Sequence, residues 1–232
     1  MDEWTNPAFA CAWDTSALAK NPVRGIHLSL LDALVTGVLP ADAAILDLGI
    51  GSGLVAEGLL AAAPGVRIVG IDSSNAMLAL AHDRLRRFGD RVRLRRHDIA
   101  DLASLDLASD SFVLTLSVQA LHHLPHEDQR AALAHLYDLT APGGWCAVID
   151  RTLADKEPLY DALAVTSAAL ARAVGADPPF VPTYGAYLEY LRDKADFPVA
   201  AATLTAWLEE AGFVADLLHR AADRSFVIGR KL

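Results

Sequence analysis

The 232 residues carry 20 Lys and Arg against 29 Asp and Glu, a formal net charge of −9, with 53% hydrophobic and 21% charged residues. That length suits one α/β domain with room for an inserted lobe, and the hydrophobic share supplies ample core material. The acidic balance repels phosphate backbones and argues against a nucleic-acid partner. Two distant cysteines, Cys11 and Cys146, argue against a disulfide framework or a zinc knuckle.

Residues up to about 21 read as irregular, with Trp4 and Trp13 among small residues. Pro22 suits the first turn of a helix, and Ile26, Leu30, Leu34 and Val38 recur at helical spacing over residues 23–39, which Pro40 ends. Residues 44–48 read as the first strand. Ser52 or Gly53 opens a helix to Ala63, closed by Pro64-Gly65, and residues 66–71 form the second strand. Ser74 or Asn75 caps a helix that ends near Phe88-Gly89. The third strand is expected at 92–96 and the fourth at 112–117, after an Asp110-Ser111 turn. A helix over 127–139 is broken by Pro142-Gly143-Gly144, and residues 145–149 make a fifth strand. The arginines between Arg84 and Arg96 read as a solvated face and a favourable helix C-terminus rather than a nucleic-acid patch.

From residue 151 to 202 the alternation stops. Helical patterns at 158–174 and 184–193 flank Asp177-Pro178-Pro179; charges at Asp161 and Arg172, and its length, keep the first from spanning a bilayer. Thr203 then caps a helix to Ala211, Gly212 stops it, and 213–218 and 226–229 form an antiparallel hairpin around a short turn at 220–224. Alternating strands and helices with short connections predict a doubly wound α/β sheet whose strands are apolar on both faces. One domain over 1–232 is expected, with an N-terminal helical cap at 1–40 and a helical lid at 151–202. The acidic MDEW start, with no apolar signal core behind it, points to the cytoplasm.

The densest chemistry lies between the first strand and its helix, where Gly49, Gly51 and Gly53 alternate. Glycines let a ligand approach the backbone, and the free N–H groups of the following helix face the same space. Asp72 ends the next strand nineteen residues past Gly53, the distance expected of a carboxylate that grips a ribose diol. A dinucleotide loop reads G-x-G-x-x-G, and its third glycine falls here on Leu54, which argues against NAD or FAD.

The stretch from Asp47 through Gly49, Gly51 and Gly53 resembles the first motif of the class I S-adenosylmethionine-dependent methyltransferases. GIDSSNAML resembles the family's second-strand motif, RRHDIADL its third, SVQALHHL the segment after its fourth strand, and LTAPGGW the turn before its fifth. The resemblance implies a Rossmann-like seven-stranded sheet of order 3-2-1-4-5-7-6 with an antiparallel last strand. It implies S-adenosyl-L-methionine as cofactor, with Asp72 on the ribose, Asp98 on the adenine amino group and Ile99 on its ring. Ser73, Met77, Ser117 and Val118 would complete that site, and Asp47 would brace the loop and orient the amino acid part. Arg24 either clamps the cofactor carboxylate or lies exposed.

On the acceptor side, His122 and His123 follow the fourth strand, and either is a candidate general base; one ring could instead pack under the cofactor. His126 completes H-H-x-x-H without an acidic ligand, so no metal is expected. Asp150 and Arg151 end the fifth strand and are candidate substrate contacts or an ion pair. Tyr184, Tyr187 and Tyr190, with Phe180 before them, either line the pocket or form core. The expected function is methyl transfer to a small-molecule acceptor, with no membrane and a homodimer left open. The alternatives are a tRNA-modifying methyl or carboxymethyl transferase, to which the SVQALHHL segment also bears some likeness, and a non-catalytic protein that binds the cofactor.

Overall fold

The computed structural model describes residues 3–21, 23–154, 156–173, 175, 181 and 183–232. The expectations placed on Pro22, on Asp177-Pro178-Pro179 and on Phe180 fall outside the described residues.

The strands are β1 (Ala44–Leu48), β2 (Arg67–Asp72), β3 (Val92–Arg96), β4 (Phe112–Val118), β5 (Thr140–Leu153), β6 (Val199–Ala200), β7 (Val214–Ala221) and β8 (Arg224–Arg230). They form one sheet of order β3-β2-β1-β4-β5-β8-β7, and β6 pairs with the far end of β5. Strands β1 to β5 run parallel, and β8 is antiparallel to both β5 and β7. The expected order is therefore present. The two-residue β6, unforeseen in the sequence, shifts the numbering of the terminal hairpin.

Side chains alternate across β1, so Ile45 and Leu46 enter opposite layers. One layer packs Leu31 and Val35 of α2 (Arg24–Val38) and Leu59 and Leu60 of α3 (Leu54–Ala62) on Ile45, Ile68, Leu114 and Phe226. The other packs Leu133 and Leu136 of α5 (His126–Leu139) and Leu204 and Leu208 of α8 (Ala201–Ala211) on Leu46, Leu48, Val148 and Val227. Each such fully buried Leu or Ile contributes about 1.5–3 kcal/mol of transfer free energy. The segment between β5 and β6 holds α6 (Tyr160–Ala173) and α7 (Tyr184–Asp193), which build a small cluster of Tyr160, Tyr187 and Leu191.

Several boundaries differ from expectation. The N-terminal segment is a helix, α1 (Pro7–Lys20), and not irregular. The Asn6 side chain accepts from the N–H groups of Ala8 (2.9 Å) and Phe9 (3.4 Å), and Pro7 fills the first turn where no donor is needed. Strand β5 runs through Pro142-Gly143-Gly144, because Gly143 N–H donates to the Lys231 carbonyl and Lys231 N–H to the Gly144 carbonyl. Thr203 lies inside α8, whose N-cap is Ala200, and the hairpin turn is shorter, at residues 222–223. The helix α4 (Asn75–Leu85) passes into a 3₁₀ segment, Arg86–Arg91. Its arginines tie elements together: Arg87 pairs with Glu57 at 2.9 Å, and Arg91 donates to the carbonyls of Leu60, Ala63 and Val66.

Candidate active site

The glycine loop leaves β1 with positive φ at Gly49 (+77°), Gly51 (+55°) and Gly53 (+76°). The N–H groups of Gly49 and Ile50 donate to the Ile71 carbonyl at 2.8 and 2.9 Å, which folds the loop over the end of β2. A Cβ on Gly49 would lie 2.4 Å from the Cβ of Ala120, so only glycine lets the segment after β4 press against the loop. Asp72 braces the same turn: one carboxylate oxygen accepts from Gly51 N–H at 2.9 Å and the other from Ser74 N–H at 2.8 Å. Ser74 caps α4 through Met77 N–H and donates its hydroxyl to the Trp4 carbonyl at 2.5 Å.

Beside this loop lies a cleft of about 400 Å³ at the carboxyl ends of β1, β2 and β4, where open α/β sheets bind ligands. Asp47, Gly49, Gly51, Asp72, Ser73, Met77, Asp98, Ile99, Val118 and Arg24 all line it. Asp47 is buried, and one of its carboxylate oxygens has no partner among the described residues. Burial, with the Asp72 charge, pushes its carboxyl up to about 7 against the pull of Arg24. Arg24 is buried, with its guanidinium over the Trp13 ring at 5.5 Å, which removes the exposed alternative. A buried carboxyl with one unpartnered oxygen beside a guanidinium is the complement of an amino acid zwitterion. Asp72 and Asp98, further along, offer acceptors for a ribose diol and an amino group. These residues fit S-adenosylmethionine.

Helix α1 forms the outer wall. Its Asp14 accepts from the Ser52 hydroxyl and takes a bidentate pair from Arg84 of α4, at 3.1 and 2.7 Å. Burial pushes the Asp14 carboxyl up, but Arg84 and Ser52 outweigh it and hold it below the usual range. Trp4 and Trp13 both line the cleft, and the Trp4 ring meets that of His123 edge-on at 5.5 Å.

The two histidines part company. His122 is only 6% exposed and does not line the cleft; its Nδ1 hydrogen-bonds Asp150, which also accepts its main-chain N–H at 3.0 Å. Burial lowers the His122 pKa despite Asp150, and for Asp150 the histidine outweighs burial and keeps the carboxyl low. His123 is 34% exposed and lines the cleft, with Nδ1 2.9 Å from Asp196. Asp196 also holds the guanidinium of Arg151, and these partners overcome burial to keep it ionised. The turn carrying Asp196 is fixed by Phe197 N–H, which donates to the His122 carbonyl at 2.6 Å. That turn also brings Lys194 and Ala195 to the cleft; Ala195 (φ +52°) and Gln119 (φ +58°) are strained residues on its wall. Donor atoms of His122, His123 and Asp196 come within 4.8 Å of one another. Arg151 already neutralises Asp196 and Asp150 holds His122, so the contacts are those of a proton-sharing network, and no metal ligands are assigned.

Four sequence-derived substrate candidates lie off the cleft wall. Asp150 is buried under His122, and Arg151 bridges Asp196 and Asp223. Tyr187 stacks on Tyr160 at 5.3 Å and donates to Asp223 at 3.2 Å, and Tyr184 joins the same cluster. The aromatic stripe is core of the insertion. Two cofactor candidates also sit behind the wall: Gly53 is the N-cap of α3 against Ala81 and Leu85, and the Ser117 hydroxyl is fully buried. Trp4, Trp13, Gln119, Ala120, Lys194 and Ala195 were not foreseen. The Asn6-Pro7 helix start is the signal that could have placed the two tryptophans.

Residues 45–144 match the family described as a methyltransferase domain. Trans-aconitate 2-methyltransferase of Variovorax paradoxus is 37% identical over 110 residues, 47% of this chain and 39% of that protein. Ubiquinone biosynthesis O-methyltransferase of Xanthomonas axonopodis is 28% identical over 207 residues, 86% of this chain and 74% of that one. The fold matches phosphoethanolamine N-methyltransferase 2 of Haemonchus contortus, solved with S-adenosylhomocysteine, at a TM-score of 0.70 and 14% identity, over 97% of this chain and 58% of the other. The matched region, these relatives and the fold together support a class I S-adenosylmethionine-dependent methyltransferase. It spans only 39% and 56% of two of the curated relatives it matches.

Proposed function

We propose that this chain transfers a methyl group from S-adenosylmethionine to a small-molecule acceptor. The observation that carries the reading is the unpartnered Asp47 oxygen beside Arg24 at one end of the cleft, with Asp72 and Asp98 toward the other. When bound, the cofactor supplies an electrophilic methyl on a positively charged sulfur. Asp47 and Arg24 hold the amino acid part, Asp72 the ribose, and Asp98 with Ile99 the adenine. The space bounded by Trp4, Trp13, His123 and Lys194 is left for the acceptor, and its closure by α1 and the residue 194–195 turn suits a small molecule better than a polynucleotide. Positioning the acceptor in line with the methyl is the main catalytic contribution. Relatives named for trans-aconitate and for ubiquinone biosynthesis support a small acceptor. No described helix is long and apolar enough to cross a membrane.

Incubation with methyl-labelled cofactor and a metabolite extract tests the reading. Label in a low-molecular-weight product supports it. Label in tRNA, or S-adenosylhomocysteine binding with no transfer at all, would replace it with one of the two alternatives.

A further inference from the structure

We propose that Asp196 is a positioning residue that fixes His123 as the proton acceptor for a hydroxyl group, so that the acceptor is a phenol-like compound methylated on oxygen. The inference rests on the methyltransferase reading above.

A carboxylate only accepts hydrogen bonds, so the proton of the 2.9 Å contact sits on His123 Nδ1. In the neutral ring Nε2 is then the one basic atom, on a side chain that lines the cleft and is one-third exposed. His122, in the adjacent position, is shut away on Asp150. Asp196 cannot swing freely. Arg151 holds its other oxygen, and Arg151 lies 3.7 Å from Asp223, which also takes Arg224 at 2.5 Å and the Tyr187 hydroxyl. The edge contact of Trp4 restrains the ring from the other side. Such a held tautomer has no use with a carboxylate acceptor, which arrives deprotonated. A hydroxyl needs it. Lys194, two residues before Asp196, lines the same cleft and supplies positive charge for the developing oxyanion. The hydroxyl proton passes to His123 Nε2, the oxygen's electron pair forms the new O–CH₃ bond, and the pair of the breaking C–S bond stays on sulfur.

The first test is independent of turnover. Nitrogen-15 spectra of histidine-labelled protein with S-adenosylhomocysteine bound, assigned through His123→Asn, should show His123 protonated on Nδ1 and bare on Nε2. Asp196→Ala should shift it toward the Nε2–H form. Because that change leaves Arg151 with Asp223 alone and can disorder the turn, Asp196→Asn, which keeps the size, is measured beside it. The second test uses phenols of rising acidity together with benzoate and aniline. Phenols should be methylated. The loss of kcat in the Asp196 variants should be about 10–100-fold for the weakest acid and shrink toward a nitrophenol, with S-adenosylhomocysteine affinity within about twofold of wild type. An Nε2–H ring in the wild type, an equal loss across the series, methylation of benzoate but no phenol, or activity abolished by a chelator would overturn the proposal. Failure to bind S-adenosylhomocysteine would instead overturn the methyltransferase reading, and the tautomer of the free protein would still decide the role of Asp196.

Discussion

Asp47→Asn is the most informative perturbation of the cleft. In the free protein the Asp47 carboxyl is fully buried and pushed up to about 7, against about 3.9 in an unfolded chain. Between those pH values the unfolded state binds fewer protons than the folded one, so stability falls as pH rises through the window. At 1.36 kcal/mol per pH unit, the accumulated loss is about 4 kcal/mol by pH 8. Asparagine keeps the shape and removes the charge. The free variant should therefore gain on the wild type from about pH 4 to 7 and level off by pH 8, by about 4 kcal/mol in total or on the order of 10 °C in Tm. A bound ammonium reverses the preference, because it favours the ionised carboxylate. Below pH 7, S-adenosylhomocysteine binding to the wild type should release a proton, approaching one per ligand at about pH 6, and weaken about tenfold per pH unit. Calorimetry in buffers of different ionisation enthalpy reads that proton directly. The Asn variant should bind more weakly at pH 8 with no proton release. No proton release by the wild type at pH 6, or a stability difference that does not change with pH, would refute the assignment of Asp47 to the amino group.

Asp72→Ala should weaken S-adenosylhomocysteine binding by about 2–4 kcal/mol through lost ribose hydrogen bonds. It should also lower Tm, since the carboxylate braces Gly51 and Ser74; unchanged calorimetric affinity would remove the ribose role. Gly49→Ala places a Cβ 2.4 Å from Ala120 at φ +77° and should cost about 1–3 kcal/mol of stability, read by urea unfolding. His27 is buried, 2.9 Å from His219, and burial, then His219 and Arg224, hold it down to about 4. Its depressed value makes stability full above about 6.5 and lost as pH falls toward 4, by about 3 kcal/mol in total. His27→Leu should flatten that acid limb in thermal melts. The limb runs opposite to the Asp47 slope over the same window, so the two variants should expose trends that partly cancel in the wild type.

The strand–helix alternation from β1 to β5 was legible because apolar runs and helical periods are local signals, and the glycine-loop end of the cleft followed. Asp47, Asp72 and Asp98 each sit at or near a strand end; strand position and spacing pointed to Asp72, and the family resemblance pointed to Asp47 and Asp98. Helix α1 escaped notice because its apolar residues follow no clear helical period, and its tryptophan, Trp13, faces the cleft rather than the sheet. His122 and His123 are adjacent on one 3₁₀ turn, Leu121–His123, and no pattern in the sequence chooses between them. Asp150 chooses, by drawing in His122 and leaving its neighbour to the cleft. Lys194 and Asp196 were invisible for a related reason. Their turn is set by the long-range bond from Phe197 N–H to the His122 carbonyl, and Ala195 carries no mark of its left-handed backbone. The tyrosines of α7 share a helix face as expected, but that face meets Tyr160 instead of the acceptor space.

The central claim is that this cleft binds S-adenosylmethionine and passes its methyl group to a small molecule. The most direct measurement is a tritium count after incubating the protein with methyl-tritiated cofactor and a small-molecule extract, with S-adenosylhomocysteine quantified in the same sample. One S-adenosylhomocysteine formed per tritiated methyl in the low-molecular-weight fraction, abolished in Asp72→Ala, is the expected result. Tight S-adenosylhomocysteine binding with no label leaving the cofactor would contradict it.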